Sequence, residues 1–163
     1  MKNSVICAAA VSAAILVAAC TPTASAPTQE PSVSTDAGPA LAIMASDPAL
    51  AWGPCPDLFP GQCSIAVLHG DPSAPNADVF LRVGPQYQIP AHSHTSAERM
   101  ILVTGELQVT YQGQPASTLS VGNYAYGPAR LPHSASCLSA EPCTLFIAFE
   151  SPVDAHAFDG SLD

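Results

Sequence analysis

Seventeen prolines are spread through 163 residues, and a proline inside a helix removes a backbone donor and clashes with the turn before it. A chain interrupted this often has little room for long helices. Between the breaks, short apolar stretches recur at 64–68, 77–83, 99–103, 106–111, 123–126 and 144–149, parted by Gly, Pro or Asn, and none shows a helical period. The pattern predicts an all-β domain built as a small antiparallel barrel or jelly roll. Gly105-Glu106 and Gln112-Gly113-Gln114 read as hairpin connections, where glycine supplies the positive φ of a tight turn. The globular part runs from about Trp52 to Phe158 within a domain bounded at 46–163, and ~110 residues suffice for a single core.

One segment of this chain has the makings of a metal site. In His92-Ser93-His94 the two imidazoles lie two residues apart, so on a strand they project side by side from one face. Glu98 follows closely enough for a turn or bulge to bring its carboxylate to the same ion, and His133 can add a third imidazole from another strand. Such a set suits one divalent transition metal, Fe, Mn, Zn or Ni, without choosing among them. Taken alone, His92 and His94 fit an exposed strand pair unrelated to Glu98 and His133 equally well.

The spacing resembles the cupin superfamily. Gly84, His92, His94, three residues, Glu98, six residues and Gly105 follow the family's first motif, and Gly122, five residues, Pro128 and His133 follow its second. By this resemblance His92, His94, Glu98 and His133 fall on metal-binding positions. The stretches Trp52-Gly-Pro-Cys-Pro and Val67-Leu-His-Gly-Asp-Pro are similar to small single-domain bacterial cupins, some of them ChrR-like. Three departures stand out. Gly84 lies seven rather than five residues before His92, Cys137 replaces an asparagine, and Arg130 replaces the second motif's later glycine. Arginine resists the positive φ that glycine tolerates, while its guanidinium could reach the mouth of the barrel and meet a substrate carboxylate there. The resemblance implies fold and metal; the reaction has to be argued from the site.

The amino terminus bears on where this chemistry takes place. Lys2 precedes an apolar run over 5–19 that is too short for a good spanning helix and reads as a signal peptide, residues 1–19. Leu16-Val17-Ala18-Ala19-Cys20 resembles a bacterial lipobox, which makes Cys20 the lipidated first residue. The rival cut after Ala24-Ser25-Ala26 is followed by Pro27 and lies far from the apolar run. Residues 20–45, rich in Pro, Ser, Thr and Ala, read as a flexible tether. The expected location is therefore outside the cytoplasm, lipid-anchored to the cell membrane or outer membrane and facing periplasm or exterior. Beyond the leader, three Arg face thirteen acids, which excludes nucleic acid as a partner and leaves the lipid anchor as the only membrane contact. Setting aside Cys7 and Cys20 leaves Cys55, Cys63, Cys137 and Cys143, an even number that suggests two disulfides in an exported domain. Of the three connectivities, the local pairs Cys55–Cys63 and Cys137–Cys143 are expected, because each brackets a short loop.

These readings favour a mononuclear metalloenzyme, dioxygenase-like or running other metal-assisted chemistry, with a small-molecule substrate. Glu98, Arg99 and Arg130 are its catalytic candidates, either arginine serving to orient an anionic substrate. The alternative is a metal-dependent module that binds or senses a small ligand without turnover. The resemblance further implies homodimers paired through edge strands. Met100 and Leu102 share the period-two face of Glu98 and fit pocket lining or core equally. Trp52 and Phe59 are expected to cover a barrel edge, and His69 and His156 to be structural or exposed. No nucleophile elbow, phosphate loop or dinucleotide fingerprint occurs.

Overall fold

The computed structural model describes residues 38–163. The expected signal segment, Cys20 and most of the tether lie outside the described residues. The compact unit spans Leu41–Asp163, and the described residues form strands and turns without a helix. The strands are β1 (Gly53–Pro54), β2 (Cys63–His69), β3 (Asp78–Val83), β4 (Gln88–Ser93), β5 (Glu98–Thr104), β6 (Leu107–Tyr111), β7 (Ser117–Leu119), β8 (Tyr124–Gly127), β9 (His133–Cys137), β10 (Cys143–Phe149) and β11 (His156–Ala157). Two antiparallel sheets result, one ordered β1-β2-β3-β10-β5-β8 and the other β11-β4-β9-β6-β7.

The core lies between the sheets because each central strand alternates. In β5, Glu98, Met100 and Leu102 are buried, whereas Arg99 and Ile101 are exposed. From the other sheet β6 contributes Leu107 and Val109, and β10 adds Leu145 and Ile147. Burying each such aliphatic side chain is worth about 1.5 to 3 kcal/mol, so this interior supplies most of the drive to fold.

The Gly113 connection is a hairpin as expected, with β6 paired to β7 and Gln114 N donating to Tyr111 O at 3.0 Å. The Gly105 connection differs: β5 and β6 belong to different sheets, so this turn is a corner and not a hairpin. Gly105 has φ 84° and a Cβ there would stand 2.8 Å from Cys143 Sγ, so both conformation and space require glycine.

Both local disulfides are present, Cys55–Cys63 and Cys137–Cys143. Closing loops this short contributes about 2.5 kcal/mol each in the chain-entropy model. The packed chain reaches back to Leu41: Arg82 Nη2 donates to Ala45 O at 2.7 Å while its guanidinium lies 3.9 Å from the Trp52 ring centroid. Trp52 thereby stacks against a side chain of β3, an inner strand of its sheet, where a barrel edge was expected.

Candidate metal centre

Strand pairing delivers the four ligand candidates to one place. His92 on β4 stands in register with His133 on β9, next to a bulge between Ile89 and His92. His94 lies just past the end of β4 and not on a strand as the alternation suggested. The turn over 95–97 then returns the chain to Glu98 at the head of β5. That turn is fixed from outside: Thr95 N donates to Asp154 Oδ1 at 2.8 Å, and the buried Ser96 Oγ accepts from Glu150 N at 2.8 Å and Ser151 N at 3.0 Å. On the far side, Glu98 sits opposite Gly127 of β8, where a Cβ would come within 3.0 Å of Glu98 Cγ and 3.3 Å of Tyr111 Cε1. A side chain at 127 would crowd both Glu98 and the Tyr111 ring.

The ring nitrogens are sorted by their partners. His92 Nδ1 donates to Pro90 O at 2.7 Å, His133 Nδ1 to Leu131 O at 3.1 Å, and His94 Nδ1 to Asp154 O. Each imidazole therefore carries its proton on Nδ1, turned outward, and presents an Nε2 lone pair to the interior. Outer partners of this kind orient metal-ligating histidines. His92 Nε2 and His94 Nε2 lie 3.1 Å apart, and Glu98 places Oε1 3.5 Å from His94 Nε2 and Oε2 3.6 Å from His133 Nε2. The three histidine ligand atoms all fall within 4.8 Å of one another.

Such an arrangement is repulsive by itself. Lone pairs meet lone pairs, and Glu98 Oε2 is buried without a hydrogen-bond donor. Burial of Glu98 at 3% exposure and His92 at 4% means water cannot relieve the conflict, and a buried acceptor left unpaired costs about 1 to 3 kcal/mol. Burial, with the neighbouring His133 and His94, pushes His92 down to about 3 despite the Pro90 carbonyl. Burial also lowers His133, opposed by Glu98 and the Leu131 carbonyl. His92 and His133 are thus neutral at neutral pH, and the three histidine nitrogens form a group that could hold a metal ion. The donor set fits a divalent transition metal.

Other sequence candidates lie elsewhere. Arg99 points to the outer face of β5 and pairs with Glu150, so it does not join the ligands. Arg130 is exposed and takes the glycine conformation at φ 64°, while its backbone N donates to His94 O at 2.8 Å. Its contribution is through the main chain. Neither arginine lines the cavity beside the ligands, although Met100 does; Leu102 is fully buried core.

Phe59, expected at an edge, instead meets His92 edge to face with centroids 4.8 Å apart and lines the cavity. The Cys55–Cys63 loop brings it there, and Tyr87 Oη donating to Pro60 O at 2.8 Å holds the loop. The partners from Asp154 arrive sixty positions after His94 and had no local sequence signature. Tyr111 was likewise unforeseen: its ring stands 5.4 Å from that of His133, its hydroxyl is buried without a partner, and burial followed by Glu98 and Tyr124 pushes the phenol's pKa up.

Residues 79–149 match the family model of the cupin domain. The fold is similar to that of the DMSP lyase DddQ from Ruegeria pomeroyi DSS-3, at 17% identity over 69% of this chain and 64% of that one, TM-score 0.58. It is also similar to an oxalate oxidase, at 14% identity over 64% and 59%, TM-score 0.52. An RmlC-like cupin from Shewanella frigidimarina NCIMB 400 matches at 19% identity over 64% and 86%, TM-score 0.54. The chain spans less than two thirds of the length of the lyase and of the oxidase. At these identities the likeness is one of fold. No curated protein matches the sequence.

Proposed function

Because the chain belongs to the cupin family, we propose that it is a mononuclear metalloenzyme acting on a small molecule, with His92, His94, Glu98 and His133 holding one divalent ion. The observation that carries this reading is the convergence of three Nε2 lone pairs and an orphaned carboxylate oxygen in a buried site, with every Nδ1 proton already committed to a carbonyl. An ion bound there supplies Lewis acidity toward a substrate oxygen or sulfur, or, with iron or manganese, access to dioxygen. The chain's own residues do the rest. Pro90, Asp154 and Leu131 carbonyls keep the imidazoles in the ligating tautomer. Glu98 offers the carboxylate of the ligand set, its Oε1 facing His94 and its Oε2 facing His133. Phe59 and Phe149, edge-on to His92 and His94, keep bulk water away.

The test is elemental analysis of the full-length chain purified without chelator, beside a His92→Ala/Glu98→Ala double variant. About one metal per chain, lost in the variant, is expected. A folded wild type that neither contains nor takes up metal sinks the proposal. We also read the enzyme as exported and anchored through lipid on Cys20. The apolar leader, the lipobox-like run and two disulfides suited to an oxidising compartment support this. Labelled fatty acid should enter the wild type and fail to enter Cys20→Ala.

A further inference from the structure

The cavity beside the four ligand candidates is walled mainly by strands. Besides His94, two stretches of its wall lie outside them: Cys55, Pro56 and Phe59 in the loop between β1 and β2, and residues 153–155 ahead of β11. These stretches are fastened very differently. Asp154 is tied to the ligand-bearing turn twice, its Oδ1 accepting from Thr95 N and its carbonyl from His94 Nδ1, while Val153 N donates to Pro72 O at 2.8 Å. Among the described residues, one hydrogen bond joins residues 56–60 to the rest of the chain, from Tyr87 Oη to Pro60 O. Their backbone bond from Phe59 N to Pro56 O stays inside the loop. Segments with so few ties open locally at small cost in free energy.

The loop's course gives such an opening a consequence. It leaves the β1–β2 edge of the six-stranded sheet and reaches the five-stranded one, where Phe59 meets His92 of β4. Pro56, Asp57, Pro60 and Gly61 are exposed, whereas Phe59 is half-buried against the core. The base of the loop is short. β1 meets β2 over two residue pairs, Gly53 with Ile65 and Pro54 with Ser64, and the Cys55–Cys63 disulfide follows with its Cα atoms 5.5 Å apart. A covalent bond thus fixes the base while the tip rests on one hydrogen bond and one aromatic ring.

Resting on the metal centre proposed above, we infer that residues 56–62 are the flap through which that centre is reached, with the Cys55–Cys63 disulfide as its hinge and Phe59 as its plug. Opening swings the Phe59 ring off His92 and admits solvent and small molecules to the ligands; closing restores the apolar wall. Phe59 controls exchange without supplying a donor atom.

The experiment uses the full-length chain loaded with Co²⁺, whose visible bands report the occupied site independently of turnover, mixed with excess EDTA. Decay of the bands gives the release rate, and the urea-unfolding rate is measured beside it. Phe59→Ala and Cys55→Ser/Cys63→Ser should each release Co²⁺ at least about tenfold faster than wild type, the equivalent of about 1.4 kcal/mol off the free energy of opening, with a smaller change in unfolding rate. Phe59→Leu keeps an apolar plug and should fall between Phe59→Ala and wild type. Wild-type release in Phe59→Ala, or acceleration matched by equally faster unfolding, overturns the flap, and wild-type release in the disulfide variant overturns the hinge. Phe59→Ala keeps both disulfides and decides the matter if the double variant does not fold. Co²⁺ bands that are missing from the wild type, or that survive in His92→Ala/His94→Ala, remove the metal centre itself, and this inference with it.

Discussion

Arg130 occupies a position whose backbone asks for glycine, and substituting it separates main-chain from side-chain roles. Its φ of 64° lies in the left-handed region, which costs a residue bearing a Cβ about 1 to 2 kcal/mol. Arg130→Gly removes that strain, while the greater freedom of glycine in the unfolded chain takes back about 0.5 to 1 kcal/mol. The net expectation is stabilisation by about 0.5 to 1 kcal/mol, or a rise of about 2 to 4 °C in Tm for a unit of this size. The N–H bond from residue 130 to His94 O survives in glycine, so metal uptake should not change. Arg130→Ala keeps the Cβ and should stay within about 0.5 kcal/mol of wild type, because the exposed guanidinium forms none of the ion pairs among the described residues. Urea and thermal unfolding of the three metal-free chains decide the matter. A loss of stability in Arg130→Gly, or an equal shift in Arg130→Ala, would refute the reasoning, the first by showing that the turn is unstrained and the second by giving the side chain a role.

Two further predictions concern buried groups. His92 is pushed down to about 3 and His133 is also lowered, in both cases chiefly by burial. The unfolded chain therefore takes up protons first as pH falls, and stability is full above pH ~6.5 and declines toward pH 3. His92 contributes about 1.4 kcal/mol per pH unit within its window, so it alone should cost the metal-free chain about 2 kcal/mol between pH 7 and 5, and His133 adds in the same direction. Urea unfolding at the two values checks this, and His92→Gln should flatten the dependence; an unchanged slope in that variant would show that His92 is not the group responsible. Tyr111→Phe removes a buried hydroxyl with no partner, so the metal-free variant should be more stable by up to about 1 kcal/mol. Destabilisation in the same assay would mean that the hydroxyl has found a donor or acceptor.

The parts of the fold that were legible in sequence are those where apolar residues alternate without competition. β2, β3, β5, β6, β8 and β10 match the apolar stretches within one or two residues because their inner faces are aliphatic. β4 and β9 carry Pro90, His92, His133 and Ser136 instead, so hydropathy hides them even though they hold two ligands; the motif spacing located these residues. The sheet to which a strand belongs is a matter of long-range pairing, which is why Gly105 looked like a hairpin yet turns a corner. Phe59 and Asp154 escaped notice for the same reason: one reaches His92 only through a disulfide-closed loop, the other reaches His94 only because the chain after β10 folds back along β4. Arg99 is the opposite case, since the strict alternation that buries Glu98 already sends its neighbour outward.

The candidate site and the staples share one strand. β9 begins at His133, inside the ligand cluster, and ends at Cys137, bonded to Cys143 at the head of β10. β9 and β10 lie in different sheets, so the second disulfide ties the two sheets at one end of β9. At the other end the ligand set does the same, with His92 and His133 from the five-stranded sheet facing Glu98 from the six-stranded one. An ion bound there as proposed would stabilise the closed sandwich by mass action, whereas the facing lone pairs and Glu98 Oε2 by themselves work against closure at that end. The covalent tie at the opposite end relieves the ion of the whole task of holding the sheets together. A buried, mutually repulsive ligand set is tolerable in the barrel because the aliphatic interior and the Cys137–Cys143 disulfide keep it shut, and that same rigidity holds the four donors close together.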